Sequence, residues 1–461
     1  MTAPTASLEV TYPWSGEVVG SVPSMSREEV RSALDRGAAA PLTLSRHERS
    51  QILFRTAERV AAEAADLARA ITLESGLALR DTRHEVARAA DVFRFAAMEA
   101  LHDDGESFAA DVSPNGRDRR AHTLRVPLRL CAAITPFNHP LNQVAHKVAP
   151  ALAAGTPIVV KPSEKTPLAA VRLESIMRDA GAPPHAVQVV TGEPAAIAAE
   201  MLAHEAVEFL SFTGGVSVGR ALAARLGLRR AALELGGNDP LIVLPDADLA
   251  EAAALAVSGA FANSGQRCTA VKRILAVSEI ADELAAHIVD RARDLRTGDP
   301  LDTETDVGTV IDEQAAARIA ARVDDAVDAG ARLLLGGGRE GACVPPTVLH
   351  DVPRDCELVA EETFGPVAPI IRVRDLDDAI ATANATAYGL SSAVCTFDWR
   401  AISRCIRELR CGTVNVREVP GFRTELTPFG GVGASGTGVK EGVREAMKTM
   451  SFKKLYTLPW T

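Results

Sequence analysis

TPIVVKPSE (156–164), AVRLESIMRDA (170–180), AVQVVTGE (186–193), AAIAAEMLA (195–203), VEFLSFTGG (207–215), VGRALAARL (218–226) and RAALELGG (230–237) set short apolar runs and amphipathic helices in alternation. Short apolar runs alternating with helix-period segments predict βαβ units and a parallel sheet. Upstream, SREEVRSALDRGAAA (26–40), residues 48–74 and DTRHEVARAADVFRFAAMEAL (81–101) place apolar residues three and four apart and predict helices. The polar stretch 102–120 predicts an exposed crossing, and HTLRVPLRLCAAITPF (122–137) reads as strand. A second α/β series begins at DPLIVLPDAD (239–248) and runs through PIIRVRDLDDAIATANA (369–385), and SFKKLYTLPW (451–460) alternates like an edge strand. Two α/β domains with a small strand extension are expected.

Composition narrows the function. A chain of 461 residues is about three times a typical ~150-residue domain. A formal charge of −10 argues against a nucleic-acid partner, which needs a basic face. No apolar run reaches the ~18 residues of a membrane span, and residues 1–17 lack the charged and apolar regions of a secretory leader. Seven scattered cysteines without a CxxC pair suggest neither a disulfide framework nor a metal site, and a cytoplasmic setting is expected.

Two short motifs compete for attention. GVGASG (431–436) fits GxGxxG, but no strand precedes it and only 25 residues follow, so it reads as a glycine-rich loop. GVSVG (215–219) fits GxSxG between a strand and a helix, which would make Ser217 a hydrolase nucleophile. The same turn also reads as a helix start whose free N–H groups face a cofactor.

Other strings carry more weight: ITPFNHPLNQVAHKVAPALAAGTPIVVKPSEKTP (134–167), FTGGVSVG (212–219), LELGGNDP (233–240), FANSGQRCTA (261–270), EETFGPV (361–367), YGLSSAV (388–394), GTVNV (412–416) and PFGGVGASGTG (428–438). In this order they resemble the core motifs of the aldehyde dehydrogenase superfamily, from about residue 131 to 442. Glu234 and Cys268 stand 34 positions apart, as that family's base and nucleophile do.

The setting of Cys268 is small and polar, and the adjacent Arg267 favours the thiolate, the form that adds to an aldehyde. Glu234, flanked by leucines and glycines, should be partly buried, with a raised pKa suited to a base. The resemblance makes Cys268 the nucleophile, Glu234 the base that activates water against a thioester, and Asn138 the side-chain donor to the oxyanion. Retention of this base points to a free acid as product.

The resemblance also implies a cofactor, NAD with NADP possible. Lys161 and Glu164 would bind the adenosine ribose, near Ser163 and the turn Thr135, Pro136 and Phe137. Gly192, Gly214, Gly215, Val218, Gly219 and Leu235 would cradle the pyrophosphate and adenine side. Glu362 and Phe364 would hold the nicotinamide ribose and ring. A carboxylate at Glu164 would repel a 2′-phosphate and so favours NAD.

For the substrate, Arg88, His139 and Arg267 suggest a cationic pocket for a small anionic aldehyde. The strings TPFNHPLNQVAHK (135–147), VPGFRTELTPFGG (419–431) and KEGVREAMK (440–448), with the C-terminal LPW, look most like the phosphonoacetaldehyde dehydrogenase branch. Phosphonoacetaldehyde or phosphonoformaldehyde is the first expectation. Lactaldehyde, or glyceraldehyde 3-phosphate oxidised without phosphorylation, is the alternative. A serine hydrolase and a catalytically silent binding protein are the rival classes. Gly433 departs from the pattern, since many relatives carry lysine there.

The architecture implied is a Rossmann-type dinucleotide-binding domain over about 1–108 and 129–239, and an α/β catalytic domain over 240–434. An oligomerisation extension over 109–128 and 435–461 would make a homodimer or homotetramer.

Overall fold

A computed structural model describes residues 6–460. Residues 1–5, part of the stretch read above for a leader and of the first domain, and residue 461 lie outside the described residues. A hairpin, β1 (Ser7–Thr11) and β2 (Val18–Pro23), leads into four helices, α1 (Arg27–Ala38), α2 (Arg46–Ala62), α3 (Ala64–Ser75) and α4 (Leu79–Glu99). Two of the helix starts are written locally. Ser26 and Ser45 accept the N–H of Glu29 and Glu48, whose carboxylates accept the serine N–H in return. Each such box satisfies two otherwise orphaned donors and stabilises its helix by about 1 kcal/mol. On α4, Val86, Ala89, Ala90, Phe93, Ala96 and Ala97 are buried at the three-and-four spacing that predicted the helix.

The run 122–137, read as one strand segment, is two strands in two sheets: β4 (Arg119–Pro127), which follows the short exposed β3 (Ser107–Ala109), and β5 (Leu130–Ile134). Pro127 has no N–H for a ladder, so pairing stops there and the chain changes sheet.

From β5 the predicted alternation follows: α5 (Asn142–Ala154), β6 (Ile158–Lys161), α6 (Leu168–Asp179), β7 (Val187–Val189), α7 (Pro194–Ala203), β8 (Val207–Thr213), α8 (Val216–Ala223) and β9 (Arg230–Glu234). The five strands are parallel, in the spatial order β7-β6-β5-β8-β9. The order reverses between β5 and β8, a topological switch point that opens a crevice at the carboxyl ends of the strands. Every residue of β6 is buried, as a strand covered by helices on both faces requires.

A second sheet follows, built from β10 (Pro240–Val243), α9 (Leu249–Phe261), β11 (Arg273–Val277), α10 (Ala281–Arg293), α11 (Glu313–Asp328), β12 (Arg332–Leu335), β13 (Thr347–His350), α12 (Glu357–Ala360), β14 (Val367–Val373), α13 (Leu376–Asn384), β15 (Ser391–Cys395), α14 (Trp399–Glu408) and β16 (Thr413–Val416). Its order is β12-β13-β14-β11-β10-β15-β16, parallel except for β12. After α15 (Val443–Thr449), β17 (Ser451–Pro459) returns antiparallel to β4, from Ser451 opposite Pro127 to Pro459 opposite Arg119. Beyond Ser451 the side chains of β17 are exposed. No helix among the described residues is long and apolar enough to cross a membrane.

Candidate active site

The residues expected to bind a dinucleotide gather at the carboxyl ends of the first sheet. Thr135, Pro136 and Phe137 follow β5, Lys161 ends β6 with Ser163 and Glu164 beyond it, Gly192 follows β7, Gly214 and Gly215 follow β8, and Leu235 follows β9. The starts of the helices after these strands differ. Glu85 accepts the N–H groups of Leu141 and Asn142 at α5, Glu74 those of Leu168 and Ala169 at α6, and Glu193 those of Ala195 and Ala196 at α7. Among the described residues no side chain caps α8, whose first turn holds exposed Ser217 and Val218. Free N–H groups at a helix start suit a pyrophosphate. Gly219 brings α8 against β9, because a Cβ there would collide with the Leu235 side chain. The buried Thr135 hydroxyl has no partner.

Glu164 is less hostile to a 2′-phosphate than the sequence suggests. Burial works to raise its carboxyl, but Lys161, whose Nζ donates to Glu164 Oε2 at 3.0 Å, outweighs that and holds it low. With Lys165 adjacent, the carboxylate is not an unopposed charge, and the preference for NAD over NADP loses its force.

Across a cleft of about 380 Å³, Phe137 and Phe364 meet edge to face with ring centroids 5.9 Å apart, beside Glu362. Gly237 N–H donates to Glu362 Oε1 at 3.1 Å. Arg318 and Arg322 of α11 line the same cleft and were not singled out in the sequence. The uncapped helix start, the orphaned hydroxyl and the aromatic pair fit a dinucleotide with a flat ring at one end.

The loop before Cys268 is strained. Asn263, Ser264 and Gly265 all take left-handed backbone, at φ 60°, 52° and 68°, which costs a non-glycine residue roughly 1–2 kcal/mol. Outside contacts hold it. Asn263 N–H donates to Asp81 at 2.8 Å, the Asn263 side chain to Asn138 O at 3.0 Å, and Ile311 N–H to Gln266 Oε1 at 2.9 Å. The Asn138 amide donates to Gln266 O at 2.8 Å, which leaves one of its two N–H groups for another acceptor.

Burial pushes the Cys268 thiol up to about 12, the Glu362 and Asp239 carboxylates add to the rise, and the Arg423 guanidinium opposes it. Glu234 also acts on this thiol. Its two carboxylate oxygens are buried without partners, and burial, followed by the nearby Glu441, raises its pKa well above the ordinary carboxylate range. Glu441 itself goes the other way. Despite its burial, its ion pair with Lys147 and the Ser211 hydroxyl at 3.0 Å keep it low. The Lys147–Glu441 pair behind the base joins residues 294 positions apart, and no local pattern announces it.

Of the three residues expected to make a cationic pocket, Arg88 and Arg267 are already engaged, and His139 Nδ1 is buried without a hydrogen-bond partner. Arg88 donates to Glu425 Oε1 at 2.5 Å, and Glu425 also holds the buried His146. His139 Nδ1 lies 3.6 Å from Glu85. Arg267, expected to activate the thiol, instead donates to the carbonyls of Ser258 and Gly259 at the end of α9. Arg423 also makes no ion pair among the described residues; it is set over the Phe429 ring at 3.9 Å, and its charge acts on both Cys268 and Glu234. Its signal was the arginine in VPGFRTELTPFGG, a string quoted for its likeness and not for its charge.

The competing motifs resolve in the same place. The Ser217 hydroxyl makes no hydrogen bond to a histidine among the described residues, so a hydrolase base is missing. The GVGASG loop packs on the end of β9, where Leu235 N–H donates to Ser435 O at 3.0 Å. Gly433, at φ 64°, occupies backbone that disfavours a side chain.

The aldehyde dehydrogenase family model matches residues 1–455. The chain is 35% identical to the 3-sulfolactaldehyde dehydrogenase of Priestia aryabhattai, over 98% of this chain and 94% of that one. It is 36% identical to the lactaldehyde dehydrogenase of Methanococcus aeolicus, over 96% and 95%. The NADP-dependent glyceraldehyde-3-phosphate dehydrogenase of Bacillus halodurans, solved with NADP, superposes with a TM-score of 0.96 at 36% identity, covering 99% of this chain and 96% of that one. These names correct the phosphonoacetaldehyde expectation, and nothing supports a role in phosphonate metabolism. They favour what stood above as the alternative. The chain belongs to the aldehyde dehydrogenase family, with that family's α/β fold, and oxidises an aldehyde to its acid with NAD or NADP.

Proposed function

We propose that the substrate is a short 2-hydroxyaldehyde bearing an anionic group, of the sulfolactaldehyde or glyceraldehyde 3-phosphate kind, with neutral lactaldehyde as the second reading. The observation that carries this is Arg423, an unpaired guanidinium whose charge reaches the thiol. A guanidinium matches sulfonate or phosphate oxygens two at a time. The charge of nearby Arg88 acts on Arg423 and is tempered by its ion pair with Glu425.

In the proposed reaction, Cys268 gives up its proton to water and adds to the carbonyl carbon. The free N–H of Asn138 and the Cys268 N–H donate to the oxyanion. Glu362 and Phe364 would hold the nicotinamide end of NAD(P), which when bound would supply the hydride acceptor, and Cys268 would then carry the acyl group as a thioester. Glu234, with its raised proton affinity, takes a proton from water, which attacks the thioester and releases the acid and the thiol. Glu234 then returns that proton to the departing sulfur, while the Lys147–Glu441 ion pair stays intact beside it. We further propose that the exposed edge of β17 takes up a second copy, giving a dimer or tetramer that light scattering would read directly.

A spectrophotometric panel of sulfolactaldehyde, glyceraldehyde 3-phosphate, lactaldehyde, phosphonoacetaldehyde and propanal, each with NAD and NADP, tests the substrate reading. The anionic 2-hydroxyaldehydes should give kcat/KM at least about tenfold above propanal, the discrimination a single good charged contact supplies. Propanal or phosphonoacetaldehyde at the head of the order would overturn it.

A further inference from the structure

Three side chains on one face of α4 reach three different loops of the active site. Asp81, Glu85 and Arg88 stand at i, i+4 and i+7, which sets them in one row along a helix. Asp81 Oδ2 accepts the Asn263 N–H at 2.8 Å, in the left-handed loop before Cys268. Glu85 Oε1 accepts the N–H groups of Leu141 and Asn142 at 2.8 and 2.9 Å, in the turn that carries Asn138. Arg88 meets Glu425, two residues beyond Arg423. Neither carboxylate takes part in the reaction as read above. The opposite side of α4 is fixed by the buried Val86, Ala89, Ala90 and Phe93.

We propose that α4 is a ruler for the active site: Asp81 and Glu85 are positioning residues that fix the nucleophile loop and the oxyanion-donor turn at one separation. Four residues along a helix advance about 6 Å, so the two anchors sit at a spacing the backbone itself sets. Neither loop carries that spacing alone. The loop at 263–265 holds backbone it would not adopt unaided, and the turn at 138–142 precedes a helix whose own N-cap residue, Leu141, has no capping side chain. Displacing such groups by about 1 Å slows a reaction as much as 10²-fold. The proposal rests on Cys268 and Asn138 as nucleophile and oxyanion donor.

The test separates reach from charge. Asp81→Glu and Glu85→Asp keep the charge and the acceptor but change the reach by one methylene. Asp81→Asn and Glu85→Gln keep the reach and an acceptor oxygen but remove the charge. With propanal and NAD, read by stopped flow, the reach variants should slow the NADH burst about tenfold or more. The carboxamide variants should stay within about threefold of the parent, and KM for NAD should hold in all four.

Alkylation of Cys268 by iodoacetamide without aldehyde, read by peptide mass spectrometry, should change in Asp81→Glu and not in Glu85→Asp. If Asp81→Glu does not fold, Asp81→Ala removes the anchor and carries the same expectation. Carboxamide variants that are slow beside intact reach variants would assign the residues an electrostatic role and overturn the ruler. Parent rates in all four would overturn it too. Turnover surviving in Cys268→Ala would instead overturn the catalytic reading on which the ruler rests.

Discussion

Around Glu234 and Thr135 buried polar atoms are left without partners, whereas around Glu425 the charges are met. Both oxygens of Glu234 are buried and unpaired, and so is the Thr135 hydroxyl. Arg88, Glu425 and His146, by contrast, satisfy one another. An orphaned buried polar group costs about 1–3 kcal/mol, so a fold keeps one where water, cofactor or a transition state supplies the missing partner. The centre therefore carries the chemistry in its open valences. The proposed mouth, around Arg88, Glu425 and Arg423, would carry preference through the Arg423 guanidinium, which has no ion pair.

If the two regions divide the work in this way, their variants should fail differently. The largest effect belongs to the centre. Asn138→Ala should lower kcat by 10²–10³ for every aldehyde alike, about 3 kcal/mol of transition-state stabilisation, with KM for the cofactor within about threefold. Stopped-flow NADH formation reads it, and a loss confined to anionic aldehydes would place Asn138 at the mouth instead. A smaller, selective effect belongs to Arg423. Arg423→Leu should raise KM about 10-fold for sulfolactaldehyde or glyceraldehyde 3-phosphate and leave propanal within about threefold. Steady-state kinetics that fell equally for charged and neutral aldehydes would erase the distinction between the regions.

The same division explains what could be read from the sequence. The helices of 26–101 and the alternation after Leu130 follow from periodicity, because one buried face or one buried strand writes itself into local spacing. Cys268, Glu234 and Asn138 were visible because each sits in a short, ordered motif. The structure places Asn138 on the carbonyl of Gln266 and lets Glu234 act on the thiol.

Pairings across the chain were not visible. Glu425 lies 337 positions from Arg88, and Lys147 lies 294 from Glu441, so neither pair leaves a local trace. The role of Arg267 was legible only in part, since its charge does act with the Cys268 thiol. Adjacency to Cys268 in sequence pointed to the thiol, while the folded side chain turns to the carbonyls that end α9. The break between β4 and β5 was legible only in Pro127, whose missing N–H decides where one sheet gives way to the next.

The account depends on an acyl group passing through the sulfur of Cys268 and being released by Glu234. The direct measurement is to mix Glu234→Gln with NAD and propanal, quench within the first turnover and map the digest by mass spectrometry. The account predicts one equivalent of NADH and a propanoyl adduct on the peptide carrying Cys268, persisting far longer than in the parent. Steady NADH production with that cysteine unmodified, or an adduct on another residue, would contradict it.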